Sequence, residues 1–98
     1  MQTSLTQEQQ KLSVAVSGSI DTTTAPELEK VIFDHLEGIT ELTLDLLHTE
    51  YVSSAGLRVF LKTQKAMNKQ GKMKLVHVNN EVLDVLEITG FSDILTIE

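Results

Sequence analysis

The sequence predicts an α/β domain in which strands and helices alternate, and two patterns carry that expectation. Apolar residues recur with a period of two near residues 12–16, 42–47 and 73–78, the spacing of a strand with one buried side. Between and after these runs they recur at three- and four-residue intervals, as on the buried stripe of a helix. The resulting order is strand, helix, strand, helix, strand, helix, short strand, and right-handed crossovers make the strands so joined parallel. Ninety-eight residues suffice for one domain, residues 1–98, and folding at this length buries somewhat over ~60 % of the unfolded chain's surface.

The first strand rests on Leu12, Val14 and Val16 alternating with Ser13 and Ala15, and a hairpin over residues 3–17 is open to the N-terminal segment. Turn formers fill residues 18–23. Thr24, Pro26 and Glu27 then stand as a hydroxyl cap, a first-turn proline and a capping-box acid, so a helix is expected from near Ala25. Its apolar residues are Leu28, Val31, Ile32 and Leu36, and Gly38 is the expected stop. Leu42, Leu44, Leu46 and Leu47 make a second strand whose end is apolar on both sides, as in an interior strand flanked by helices.

Leu57, Phe60, Leu61, Gln64 and Met67 form one side of a second helix and Arg58, Lys62, Lys65 and Lys69 the other, with Gly71 at its end. Residues 73–78 form a third interior strand, and Asn79 and Asn80 a turn and cap. Val82, Leu83, Leu86 and Ile88 are the stripe of a short third helix closed by Gly90. Phe91, Ile94, Leu95 and Ile97 make a last short extended segment.

Fourteen acidic against eight basic side chains leave a net charge of −6, which repels nucleic acid and anionic lipid and argues against both as partners. The absence of cysteine removes disulfides and thiolate metal sites and fits a reducing compartment. The N-terminus has neither the basic start nor the apolar run of a signal peptide, and no stretch approaches the ~18 apolar residues of a membrane span. A cytoplasmic location is expected.

Motifs of catalysis are missing: no phosphate loop, no dinucleotide glycine pattern, no zinc-protease helix and no nucleophile elbow occurs. His35, His48 and His77 lie in separate segments without ligand spacing, so they read as solvated or capping residues, and neither a metal nor a cofactor is expected. Ser54 with a histidine and Asp21 or Asp45 makes only the kind of triad that almost any chain allows. No catalytic residue is assigned, and a non-enzymatic protein is expected. Asp45 reads as a loop-stabilising acid with no titrating partner.

Residues 51–61 carry the informative signal, because Ser53 and Ser54 precede a helical pattern. Either serine serves as an N-cap, an arrangement worth about 1 kcal/mol. The alternative is a modification site: a phosphate there adds about two negative charges at the positive end of the helix dipole. Gly56 permits close approach of a neighbouring surface, and Arg58, one turn above Ser54, is either a phosphate partner or an ordinary solvated residue. Asp21 reads equally as a turn aspartate. Tyr51 and Val52 are open to core or interface, with core the simpler reading for Val52.

Residues 14–21 followed by 24–28, then Leu42-Thr43-Leu44-Asp45-Leu46, then Val52-Ser53-Ser54-Ala55-Gly56-Leu57, then Gly90-Phe91 resemble, in this order, the STAS domain of bacterial anti-sigma factor antagonists. The likeness runs over about residues 12–97. It implies a mixed sheet of four to five strands with helices mainly on one face, and phosphorylation at the serine before Ala-Gly-Leu. Aligned on Gly56-Leu57, that residue is Ser54, with Ser53 the alternative; Ser53 stands where the family commonly has an acid.

The resemblance further implies partner switching. The unmodified antagonist binds an anti-sigma factor that is itself a serine kinase, phosphorylation releases it, and a PP2C-type serine phosphatase restores it, so that transcription is regulated indirectly. Asp21, Thr22, Tyr51, Ser53, Ser54, Ala55, Gly56 and Arg58 are the partner-binding residues this implies, with Asp21 presenting the serine. A STAS subunit of a signalling or lipid-transport complex, docked constitutively and never phosphorylated, is the alternative.

Overall fold

The structure is a computed structural model that describes residues 1–98. Its strands are β1 (Gln2–Glu8), β2 (Lys11–Ile20), β3 (Glu41–Val52) and β4 (Lys72–Val76), and its helices α1 (Ala25–Asp34), α2 (Ser54–Asn68) and α3 (Asn80–Ile88), followed by a 3-10 turn at Phe91–Asp93. The hairpin open to the N-terminus is formed: β1 and β2 are antiparallel, joined through Gln9 and Gln10 with Gln9 at φ 59°. β2, β3 and β4 run parallel in the sheet order β1-β2-β3-β4, which makes the sheet mixed. α1 packs on α2 and the helices lie against β2, β3 and β4, on the side where Leu12, Val14, Val16, Leu42, Leu44 and Leu46 are buried.

The other side of the sheet carries Ser13, Ala15, Thr43 and Asp45, all partly exposed. The expectation of a strand flanked by helices on both sides therefore fails, and Leu47, read as its second apolar side, is 58 % exposed. Leu47 falls on that uncovered side by simple alternation after Thr43 and Asp45, and around and beyond it the β2–β3 register has two irregularities, between Ala15 and Ser17 and between Gly18 and Ser19. Each inserts an extra β3 residue, shifts the side-chain alternation and bends the strand. The buried positions of β3 thus run Leu42, Leu44, Leu46 and then Thr49 and Val52. Thr49 keeps its hydroxyl buried by donating to the Val16 carbonyl at 2.7 Å.

β4 is an edge strand rather than an interior one, and it ends at Val76 because His77 turns to φ 58°. The C-terminal segment covers that edge at one point, where Leu75 N–H donates to the Thr96 carbonyl at 2.8 Å and Glu98 N–H to the Leu75 carbonyl at 2.9 Å. Of the last segment expected to be extended, Phe91–Asp93 is a 3-10 turn. Ile88 lies 85 % exposed, off the buried side of α3 that Val82 and Leu86 form. Asn79 caps α3 as expected, its side chain accepting from the Val82 N–H at 2.8 Å. α2 ends at Asn68 with Lys69 as its C-cap, and Gly71, expected as the stop, lies beyond it, where a Cβ would overlap the Thr40 carbonyl and the chain passes too closely for any side chain.

Candidate functional site

The C-terminal ends of β2 and β3 place the candidate residues side by side. Ile20 pairs with Val52, and one residue on, the Ser53 N–H donates to the Ile20 carbonyl at 2.8 Å. The first turn of α2 therefore starts beside the β2–α1 loop. Ser53, extended at φ −82° and ψ 175°, is the N-cap; its Oγ accepts from the Gly56 N–H at 3.3 Å and its carbonyl from the Leu57 N–H at 2.9 Å. Ser54 is the first helical residue and exposed, and its hydroxyl makes no hydrogen bond within the protein. The question left open by the sequence thus separates: capping falls to Ser53, and the free hydroxyl is that of Ser54.

Gly56 is buried. The close approach it allows is internal. A Cβ would lie 2.8 Å from Ile20 Cγ2, 2.8 Å from Val52 Cγ1 and 3.3 Å from the Ile20 carbonyl oxygen, so the bare α-carbon seats the helix start on the two strand ends. Val52 belongs to the core, whereas Tyr51, in β3, is 55 % exposed.

Asp21 organises the neighbouring loop. Its carboxylate accepts from the N–H groups of Thr23 and Thr24, each at 2.9 Å. The Asp21 N–H donates to Thr24 Oγ1 at 2.8 Å, and that hydroxyl donates to the Ser19 carbonyl at 2.9 Å. The backbone N–H of Thr24, helped by its hydroxyl and by the Thr23 N–H and opposed by desolvation, holds the Asp21 carboxyl below its ordinary value. Thr24 is therefore tied back into the loop and makes no side-chain cap on α1, and the capping box expected with Glu27 is not formed. The turn reading of Asp21 accounts for all of these bonds.

A shallow groove of about 300 Å³ runs between the starts of α1 and α2, and Thr22, Ala55 and Arg58 line it together with Pro26, Glu29 and Lys62. Lys62 crosses it, 3.1 Å from Glu29 Oε2 and 5.3 Å above the Phe33 ring. Lys62, Glu29 and Pro26 were not among the residues expected at the site; the helical spacing of Lys62 after Arg58 is the signal that points to it. A larger hollow of about 390 Å³ on the open side of the sheet contains none of the residues implied for partner binding.

Asp45 lies at that hollow and has a titrating partner, against the expectation from sequence. His77 Nδ1 donates to Asp45 Oδ1 at 2.8 Å, and the Leu47 N–H donates to the same oxygen at 3.1 Å. These residues are 32 positions apart, and only the parallel pairing of Asp45 with Val76 brings them together. The hydrogen bond from His77 is the main cause that holds the Asp45 carboxyl below its ordinary value. No group of three or more His, Cys, Asp or Glu side chains is arranged to hold a metal ion, and no helix is long and apolar enough to cross a membrane.

The whole arrangement matches known proteins. The anti-sigma-B factor antagonist of Bacillus subtilis is 33 % identical over 92 residues, covering 93 % of this chain and 84 % of that protein. The protein of the same name from Staphylococcus aureus is 33 % identical over 84 residues, covering 84 % and 78 %. The crystal structure of an anti-sigma factor antagonist from Mycobacterium paratuberculosis superposes with a TM-score of 0.89 at 26 % identity, over 98 % of this chain and 83 % of that one. The anti-sigma factor antagonist SpoIIAA in its unphosphorylated form shares the fold, with a TM-score of 0.73 at 12 % identity over 99 % and 87 %. The STAS domain family matches over residues 2–98, and the chain belongs to that family.

Proposed function

We propose that this chain is an anti-sigma factor antagonist: unphosphorylated, it binds an anti-sigma factor with serine kinase activity, and phosphorylation of Ser54 releases it. One observation supports the reading above the others. Ser54 is exposed at the start of α2 with its hydroxyl unbonded, while Ser53 does the capping. A kinase reaches the Ser54 hydroxyl without dismantling the helix start. The names of the relatives, anti-sigma-B factor antagonists, supply the partner class.

The switch follows from charge. A contact packed around Ser54, Ala55, Thr22 and Tyr51 accepts a neutral hydroxyl, but a phosphate brings about two negative charges. Burying those charges without a partner costs on the order of several kcal/mol. On the free chain the same charges are tolerated, because they stand at the positive end of the α2 dipole and one turn from Arg58. A PP2C-type serine phosphatase resets the protein in the cytoplasm, and the chain itself catalyses nothing in this cycle. Its effect on transcription is indirect, through the sigma factor its partner would otherwise hold.

Incubation with ATP and an anti-sigma factor kinase from the same organism, followed by peptide mass spectrometry, tests the assignment. One phosphate on the peptide containing Ser54, absent from Ser54→Ala, is the expected result. Modification of Ser53 alone would move the site by one residue. Binding with no modification of either serine would replace the switch by constitutive docking.

A further inference from the structure

The proposed switch residue heads a row of basic side chains. At 3.6 residues per turn, Ser54, Arg58, Lys62, Lys65 and Lys69 fall within an arc of about 80° on α2 and its C-cap, over a length of about 22 Å. All five are exposed. The segment from Ser54 to Lys69 contains no acidic residue. It holds four of the chain's eight basic residues, so the remaining 82 residues carry 14 acidic and 4 basic side chains, a balance of −10.

Pairing sharpens the contrast. Lys11, Lys30 and Lys74 are each neutralised by a neighbouring acid, and Lys62 by Glu29, whereas Arg58, Lys65 and Lys69 form no salt bridge. Three of the four lysines and arginines without a salt bridge in this strongly acidic protein, Arg58, Lys65 and Lys69 but not Lys72, are thus aligned on one helix face. Their side chains cover no acid of their own chain, and the face is solvent-exposed along its whole length.

We infer that this row is a docking face for an acidic protein surface, and that the anti-sigma factor presents acidic side chains along the groove that receives α2. The inference rests on the proposed function and adds to it the charge of the partner's face. Opposite charges across such a face steer encounter and fix the register of the helix. A polyanion such as lipid or nucleic acid meets the net charge of the whole molecule, which repels it. A patterned acidic protein surface meets only the row. Phosphorylation at Ser54 then acts on the same face, placing negative charge at its N-terminal end beside Arg58 and opposite the partner's acids.

The test is a titration of an anti-sigma factor kinase from the same organism, at about 50 and 300 mM salt, with wild type, K65E/K69E and the charge-matched control K11E/K74E. Wild-type affinity should fall about tenfold or more across that salt range, K65E/K69E should lose at least about tenfold at low salt, and K11E/K74E should stay within about twofold. Circular dichroism melts verify that each variant is folded, and the salt dependence of the wild type needs no variant. Wild-type binding that ignores both salt and K65E/K69E would overturn the docking face while leaving the proposed function standing. No wild-type binding at all would remove the proposed function and this inference with it. Binding of the wild type to vesicles with about 30 % phosphatidylserine, lost in K65E/K69E, would assign the row to a membrane and overturn the protein partner.

Discussion

Gly56→Ala tests how the start of α2 is held. The new methyl would lie 2.8 Å from both Ile20 Cγ2 and Val52 Cγ1, where carbon atoms normally rest about 3.5–4.0 Å apart. Ile20 and Val52 are 0 % and 4 % exposed, and β-branched side chains are stiff about χ1, so neither swings aside. The helix start must back away by roughly 0.7–1.2 Å. Overpacking of this kind costs about 1–3 kcal/mol. Replacing glycine in a helix returns up to about 1 kcal/mol, and less in the first turn. The net loss is about 1–2 kcal/mol, or roughly 4–15 °C in melting temperature for a domain of this size.

Urea and thermal denaturation followed by circular dichroism measure it. Combining G56A with Val52→Ala removes one of the two obstructing atoms, so the double variant should be more stable than the sum of the single effects. A G56A protein as stable as wild type, or more so, would show that the bare α-carbon does not seat the helix.

Ser53→Ala removes the N-cap; because the Oγ contact with Gly56 N–H is long at 3.3 Å, the loss belongs at the low end of the usual range, about 0.5–1 kcal/mol, readable in the same urea titration. Asp45 sets a pH dependence. Its folded pKa is depressed, chiefly by the hydrogen bond from His77, so its contribution is present above the ordinary aspartate value of about 3.9 and is lost as pH falls through the folded pKa. Stability measured from pH 5 downward should therefore fall more steeply in wild type than in Asp45→Asn, and equal slopes would remove the role of the pair. Gln64 is buried with its Oε1 unpartnered while its Nε2 donates to Asn68 at 2.8 Å. Gln64→Leu should leave stability unchanged or raise it by up to about 1 kcal/mol, and a loss above that would mean the amide is satisfied in solution.

The sequence exposed the parts of the fold that follow a single period. The stripes of α1 and α2, the alternation of Leu42, Leu44 and Leu46, and the cap at Asn79 are local patterns that tertiary packing kept. The second half of β3 was hidden, because two register irregularities change its buried spacing from two to three at Thr49 and Val52. Tyr51 consequently falls outside the alternation that marks the strand, although it lies in β3. The Asp45–His77 pair was hidden for a different reason: it depends on which strands are neighbours, which no short window of residues contains. At the site, the sequence left capping and modification divided between two serines. The one-residue offset of the helix start, fixed by the Ser53 N–H on the Ile20 carbonyl, separates them. The basic row was visible as the polar side of an amphipathic helix, but its unpaired state emerged only once the acids were placed.

The central claim is that charge at Ser54 governs partner binding, and calorimetric titration of the anti-sigma kinase with unmodified and Ser54-phosphorylated protein tests it most directly. Several kcal/mol of lost contact corresponds to a weakening of about 100-fold or more, so the unmodified protein and Ser54→Ala should bind while the phosphorylated protein and Ser54→Asp bind far more weakly or not at all. Equal affinity of the unmodified and phosphorylated forms would contradict the account.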